Sequence, residues 1–446
     1  MWKLSSFNML YIILWSGLIW GIESFSLSQI TMQLGRNQGI HNARDSMGLR
    51  LNGSRKNTMN EAYTDALQQL NVWRRPEILC FGDAFYDILA DEHSAGLSAQ
   101  EILSHGRWTR EPGGESFNVA LALAKLGLPT AFAGSLGDDR DGRALARQLR
   151  DAGVSLDLVQ TVAKPTRRVM VARDHNQEPV FSGFINRLPS SFFADAGFSL
   201  QMEDLDLSGY YQNLHWAVSG TIGLAFKDSF RSHMELLRWT QKHHIPLMVD
   251  VNWRPQFWNC SSGHYKPGWE DDARRKIQAY CSCADMMKLT AKEATWLTAV
   301  PTSEIIQNPG ILREFFPSCK GFLVTNGKED IAFDILGHQG YVHPPIVHQV
   351  DEIGAGDAFC AGFLFKIKSL DLVPPLTPSL RNSLTEAVKF GSCVGALATT
   401  RVGCIQGHPN FYEAVEMYRR NPGEFRLHFA SAFTPHLEDD QSSYYP

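Results

Sequence analysis

Across 446 residues there is no Cys-x-x-Cys pair and no Cys/His spacing of the kind that holds zinc. The eight cysteines (Cys80, Cys260, Cys281, Cys283, Cys319, Cys360, Cys393 and Cys404) are scattered, several of them in apolar runs, as buried free thiols are. A reducing compartment is the default expectation for the folded chain. Charge of one sign is also scarce. The formal net charge is −5, and nothing suggests a nucleic-acid footprint. The apolar run at residues 7–22 is short for a membrane span, so no stable span is expected in a mature chain. No internal repeat is evident, which excludes a solenoid. What is present is 44% hydrophobic and 20% charged, enough for a large α/β core with room for a leader.

Residues 1–75 differ from the rest of the chain. Lys3 precedes the 7–22 run, which has signal-peptide length, and Ser24 and Ser26 offer a small-residue cleavage site. Between Ser24 and Asn60, Arg36, Arg44, Arg50, Arg55 and Lys56 stand against one acid, Asp45. A secretory-type leader followed by an Arg-rich, acid-poor tract resembles the bipartite presequence of proteins sent to a complex plastid, and Phe25 fits that resemblance. A secreted protein and a signal anchor are the alternatives. Residues 58–72 have the pattern of a short amphipathic helix leading into a folded domain at 76–428, and 429–446 reads as a polar tail.

From Glu77 the pattern changes. Ile78-Leu79-Cys80-Phe81-Gly82 reads as a buried first strand. Further apolar strands are expected at 131–137, 214–220, 246–251 and 321–325, with helices between them, including 143–152 and 227–243. Strand–helix–strand alternation predicts an α/β fold with a parallel sheet and helices on both faces. Residues 97–111 are polar and lack a clear period, as a lid or edge segment would be.

The most informative stretch is 350–369, Val-Asp-Glu-Ile-Gly-Ala-Gly-Asp-Ala-Phe-Cys-Ala-Gly-Phe followed by a helical pattern. A glycine-rich turn opening a helix presents unpaired N–H groups at the positive end of the helix dipole, a ready anion site. Asp357 at that helix start is read in two ways. It could cap the helix, or it could be a general base beside an anion hole formed by Gly354, Ala355 and Gly356, as phosphoryl transfer to a hydroxyl requires. Cys360, one turn on, is read as a core thiol rather than a redox group.

Asp-x-x-Gly-Ala-Gly-Asp-Ala-Phe-x-Ala-Gly-Phe resembles the C-terminal signature of the PfkB (ribokinase-like) sugar kinases, although Glu352 stands where a small or hydroxyl residue is usual. Pro112-Gly113-Gly114-Glu115-Ser116-Phe117-Asn118 resembles the family's first signature, with Glu115, Ser116 and Phe117 departing from the small residues of fructokinases. Phe117 would either reshape the sugar pocket or face the core. Asp250-Val251-Asn252-Trp253-Arg254-Pro255 resembles a segment of bacterial and plastid-type fructokinases and of 2-keto-3-deoxygluconate kinases.

The resemblance covers residues 77 to about 420 and implies a three-layer α/β/α sandwich with a small β-sheet lid, near 97–111 and 160–190. It implies ATP-dependent transfer of the γ-phosphate to a hydroxyl of a ketose, fructose first, with Asp357 as base. Asp87, Gly113, Gly114, Asn118 and Arg187 would hold the sugar. Asn252, Arg254, Thr325, Gly327 and Gly395 would lie at the nucleotide. Glu293 would organise Mg²⁺ through water, and the Asp351 region would take K⁺. A homodimer through the β-lid is a further expectation. Two alternatives stand beside this reading: a 2-keto-3-deoxygluconate-type kinase, and a non-catalytic fructokinase-like plastid protein that works by binding partners.

Overall fold

The computed structural model describes residues 75–421, apart from 92–93, 95–96, 98, 106–107, 174–178, 186–187, 189, 200–212, 260–267, 371 and 373–375. The expectations for the leader and its helix, for the 429–446 tail and for Arg187 lie outside the described residues.

Thirteen strands are described. They are β1 (Ile78–Phe81), β2 (Phe85–Ala90), β3 (Trp108–Gly113), β4 (Thr130–Gly137), β5 (Ser155–Val162), β6 (Arg168–Arg173), β7 (Pro179–Phe184), β8 (Trp216–Ser219), β9 (Leu247–Asp250), β10 (Met286–Thr290), β11 (Gly321–Thr325), β12 (Ile331–Ile335) and β13 (His338–Val342). The longer helices are α1 (Ala99–His105), α2 (Glu115–Lys125), α3 (Arg140–Asp151), α4 (Lys227–Lys242), α5 (Trp269–Cys281), α6 (Ala291–Thr298), α7 (Ala355–Ile367), α8 (Pro378–Ala398) and α9 (Phe411–Arg420).

The main sheet runs β13-β12-β11-β10-β9-β8-β1-β4-β5, parallel from β11 to β5, with β12 and β13 antiparallel at one edge. Alternation along β1 divides the core. Ile78 and Cys80 pack under α2, α3, α7, α8 and α9, while Leu79 and Phe81 pack under α4, α5 and α6. This is the three-layer α/β/α sandwich. Phe117 is fully buried in the first layer with its ring edge-on to Phe132, 6.2 Å away, so it faces the core and not the pocket. After β1 the chain builds β4 on one side and later β8 on the other. Open α/β sheets bind ligands at such a switch point, outside the strands' carboxyl ends.

The second sheet, β3-β2-β6-β7, is the lid. It differs in detail from the expected segments. Residues 97–111 hold α1 as well as the start of β3, and residues up to 162 belong to β5 in the main sheet. Asp141, at the start of α3, clamps the lid by ion pairs to Arg110 at 2.5 Å and Arg168 at 2.7 Å. The lid's outer face carries Ile88, Ala90, Met170 and Ala172, and α1 covers it with Ile102, packed with Leu97 and Leu103. The apolar surface of that face is covered within the chain.

Candidate active site

The parallel strands end at a cleft of ≈ 910 Å³ between the main sheet and the lid. One wall is the start of α7. Gly354 caps that helix with φ +79°, a left-handed conformation, and a Cβ there would strike Cys404 Sγ. Capping therefore falls to a residue with no side chain. Asp357 is the third residue of the helix, and its Oδ2 accepts from Asn118 Nδ2 at 2.8 Å. The capping reading of Asp357 gives way to a carboxylate lining the cleft on the first turn, where Ala355 N donates to Glu352 O at 3.2 Å and the Gly356 and Asp357 N–H groups precede any intrahelical acceptor.

Burial raises the Asp357 carboxyl to about 6, and the neighbouring Asp250 charge adds to the rise. Lys288, the Asn118 amide and Arg254 oppose it. A carboxyl near 6 is ionised at neutral pH and basic enough to accept a hydroxyl proton in flight. Asn118 Oδ1 is buried with no hydrogen-bond partner, so the amide tied to Asp357 offers its oxygen to whatever occupies the cleft.

Asp87, on the lid strand β2, faces the same space. Burial raises it to about 7, against the pull of Arg254. Gly113 lies on β3 opposite Phe85, where a side chain would collide with the Asp87 carboxyl. Gly114 holds φ +106°, and a Cβ there would sit 2.5 Å from the Asp83 carbonyl, so the turn into α2 needs glycine.

Glu115 follows and also lines the cleft, 3% exposed. Its Oε1 has no hydrogen-bond partner, and its Oε2 lies 2.8 Å from Ser116 Oγ. Ser116 Oγ has one proton and a second acceptor, the Phe81 carbonyl, at 2.9 Å. The hydroxyl donates toward both acceptors, Glu115 Oε2 and the Phe81 carbonyl. Burial pushes Glu115 well above the carboxylate range, with Asp250, Asp357 and Asp83 adding to the rise.

Other expected residues fall along the cleft. Asn252 and Arg254 line it after β9, Thr325 and Gly327 after β11, and Gly395 on α8. Asn252 has φ +39°, and the strained turn is held from behind. Trp253 stacks on Trp296 at 4.0 Å, and its N–H donates to Glu293 Oε1 at 2.7 Å. The other Glu293 oxygen accepts from Thr290 N at 2.7 Å in a capping box. Glu293 is 7% exposed and is not part of the cleft wall, so it scaffolds the Asn252–Arg254 turn.

Asp351 also stands behind the wall, bonded to Ile353 N at 3.2 Å and Gly403 N at 3.0 Å. Glu111 is raised by burial and by the Asp351 charge. Cys360 is buried with its thiol pushed well above its usual range, the state of an inert core cysteine.

Residues 75–410 match the sequence profile described as pfkB family carbohydrate kinase. The chain belongs to that family. This pfkB kinase is 28% identical over 341 residues to Fructokinase-1 of Oryza sativa subsp. japonica, covering 76% of this chain and 97% of the relative. It is 29% identical over 363 residues to the probable fructokinase-6, chloroplastic, of Arabidopsis thaliana, covering 81% and 86%. Its fold matches the crystal structure of fructokinase with bound ATP from Xylella fastidiosa. There the TM-score is 0.62 and the identity 26%, over 77% of this chain and 98% of that one. A pfkB carbohydrate kinase is a phosphotransferase with an alcohol group as acceptor.

The sequence reading of this kinase missed Lys288 and passed over Glu115 as a mere departure. Both left a signal. Lys288 interrupts the apolar run Met286-Met287-Lys288-Leu289, and Glu115 opens an otherwise apolar and small-residue helix. A lone charge in such a setting demands a partner or a task.

Proposed function

We propose that this kinase transfers the γ-phosphoryl group of ATP to a hydroxyl of a ketose, with fructose the foremost candidate. The observation that carries the proposal is Asp357, at about 6, on the first turn of a glycine-capped helix inside one continuous cleft. The nucleotide would lie toward Thr325, Gly327 and Gly395, and the sugar toward Asp87, Gly114 and Asn118. Asp357 takes the hydroxyl proton as the sugar oxygen bonds to Pγ. The bond from Pγ to the bridging oxygen breaks, and its electron pair leaves on ADP. The N–H groups of Gly354 to Asp357 receive the charge that develops on the phosphoryl oxygens.

Among the described residues no group of three or more His, Cys, Asp or Glu is arranged to hold a metal ion. Mg²⁺ would therefore arrive with the ATP phosphates, and it keeps most of its waters in such sites. When bound it neutralises phosphate charge. K⁺ would sit by Asp351, where the acidic pair with Glu111 provides the field.

The sugar end favours a neutral polyol over a sugar acid. Asp87, Glu115 and Asp357 line it, while Arg254 is the described cation acting on both aspartates and Lys288 is engaged by Asp250. Among the described residues, a substrate carboxylate would face the Asp87 and Asp357 carboxyls there. Glu115 Oε1 would accept a sugar hydroxyl. On a panel of fructose, ribose, 2-keto-3-deoxygluconate and nucleosides, fructose is expected to be turned over best and the sugar acid poorly. Glu115→Gln should keep the fructose KM, and Glu115→Ala should raise it about tenfold, the worth of one hydrogen bond. Turnover of the sugar acid above fructose would overturn the assignment. No turnover of any sugar by folded protein with Mg²⁺ and K⁺ would favour the partner-binding reading, which the assembled cleft otherwise opposes.

We also propose delivery to a plastid, supported by the leader-like N-terminal tract and by the likeness to a relative named as chloroplastic. No described helix is long and apolar enough to cross a membrane. Residues 1–75 fused to a fluorescent protein should carry it into plastids. Secretion of the fusion would reject that route.

A further inference from the structure

Lys288 and Asp250 face each other on neighbouring parallel strands, in register where β9 ends beside the middle of β10. The ammonium lies 2.8 and 3.1 Å from the two Asp250 oxygens, and the side chains are 7% and 1% exposed. Burial alone would pull the Lys288 pKa down, but the Asp250 charge overrides it and carries it above the ordinary value, so the group stays a cation. Buried ion pairs contribute little net stability, since well-packed apolar residues do as well. The pair therefore needs another reason to be there.

Its position supplies one. Lys288 lines the cleft, and its Nζ would be 2.7 Å from a Cβ placed on Gly356, the second residue of α7. The ammonium thus rests against the backbone that forms the anion hole. It carries three protons. Asp250 takes two at most by the observed contacts, and among the described residues no other acceptor bonds to Nζ. At least one N–H is left at the point where first-turn N–H groups converge.

We propose that Lys288 is a catalytic cation of this kinase, donating to a non-bridging oxygen of the γ-phosphoryl group, with Asp250 as the positioning residue that fixes its ammonium. The inference rests on the kinase reading of the cleft. As the phosphoryl group passes from the ADP oxygen to the sugar oxygen, charge spreads over its non-bridging oxygens, and a fixed N–H in a water-poor site costs no reorganisation then. The proton on Nζ is shared, not transferred. Asp357 remains the acceptor of the hydroxyl proton.

The test removes the pair without stranding a charge. In Lys288→Met with Asp250→Leu, both charges leave together, so the fold is expected to survive. Circular dichroism and thermal unfolding check this. Should that protein not fold, Lys288→Gln with Asp250→Asn, an uncharged hydrogen-bonding pair, carries the test. The full chain and the folded variant are assayed for sugar phosphorylation and titrated with ADP and with the imido analogue of ATP. The expected result is a kcat about 10²- to 10³-fold lower, as for loss of one donor to a developing oxyanion. ADP affinity should hold while the preference for the triphosphate analogue over ADP is lost. Unchanged kcat, or equal loss of affinity for ADP and the analogue, would overturn the role of Lys288. If the wild-type chain turns over no sugar yet the analogue preference depends on Lys288, the sugar-kinase reading fails and the γ-phosphate contact stands.

Discussion

Asp357→Asn is expected to lower kcat on the accepted sugar by about 10²- to 10⁴-fold, the worth of a positioned general base. Nucleotide affinity should change little, because the amide keeps the shape of the carboxylate and can still accept from Asn118. The pH profile separates this from general damage. The base works when ionised, so the wild-type rate should fall as pH drops through about 6, by about tenfold per unit below that. The residual rate of the variant should lack this limb. Stability should move the other way. The folded pKa of Asp357 lies above the value of about 3.9 for an unfolded chain, so ionising it costs stability as pH rises from about 4 to about 6. The amide has no such cost, and the variant is expected to be no less stable than wild type at pH 8. A folded variant with wild-type kcat would remove Asp357 from the chemistry.

Much of this arrangement was legible in the sequence because it is local. Gly354-Ala355-Gly356-Asp357 sets its own backbone: a left-handed glycine, then the first turn of a helix. The Gly113-Gly114 turn and the apolar first strand are likewise written within a few residues. What the sequence withheld depends on pairs far apart in the chain. Lys288 finds Asp250 across 38 residues, and Asn118 finds Asp357 across 239. Glu293 finds Trp253 N across 40 residues, a contact no local pattern announces. The covered lid face depends on α1, in a segment whose sequence has no clear period. Glu115 shows the same limit. Its raised pKa follows from burial beside Asp250, Asp357 and Asp83, which no spacing rule encodes.

Arg167→Leu is the other substitution with a large expected effect, and it acts on stability. Arg167 precedes β6 in a stretch that reads as a plain alternating strand, yet it is fully buried. Its Nε lies 2.9 and 3.1 Å from the two oxygens of Asp195. Its guanidinium lies over Phe193 at 4.5 Å, Phe184 at 4.7 Å, and Phe226 and Phe257 at 5.0 Å. Phe257 is also a wall of the cleft, so this cation braces the floor beneath the sugar end. With the cation gone, Asp195 would remain as a buried charge near Asp83. That residue is already raised to about 7 by burial and, next, by the Asp195 charge. Stranding one partner of a buried pair costs about 3–5 kcal/mol, while replacing both by apolar residues is close to neutral. Denaturant unfolding should therefore show Arg167→Leu destabilised by about that amount, and Arg167→Leu with Asp195→Leu restored toward wild type. The difference between the two variants decides the cause. If the double variant is as unstable as the single one, the lost stacking against four phenylalanines outweighs the stranded carboxylate, and Arg167 acts as an aromatic keystone rather than a counter-ion.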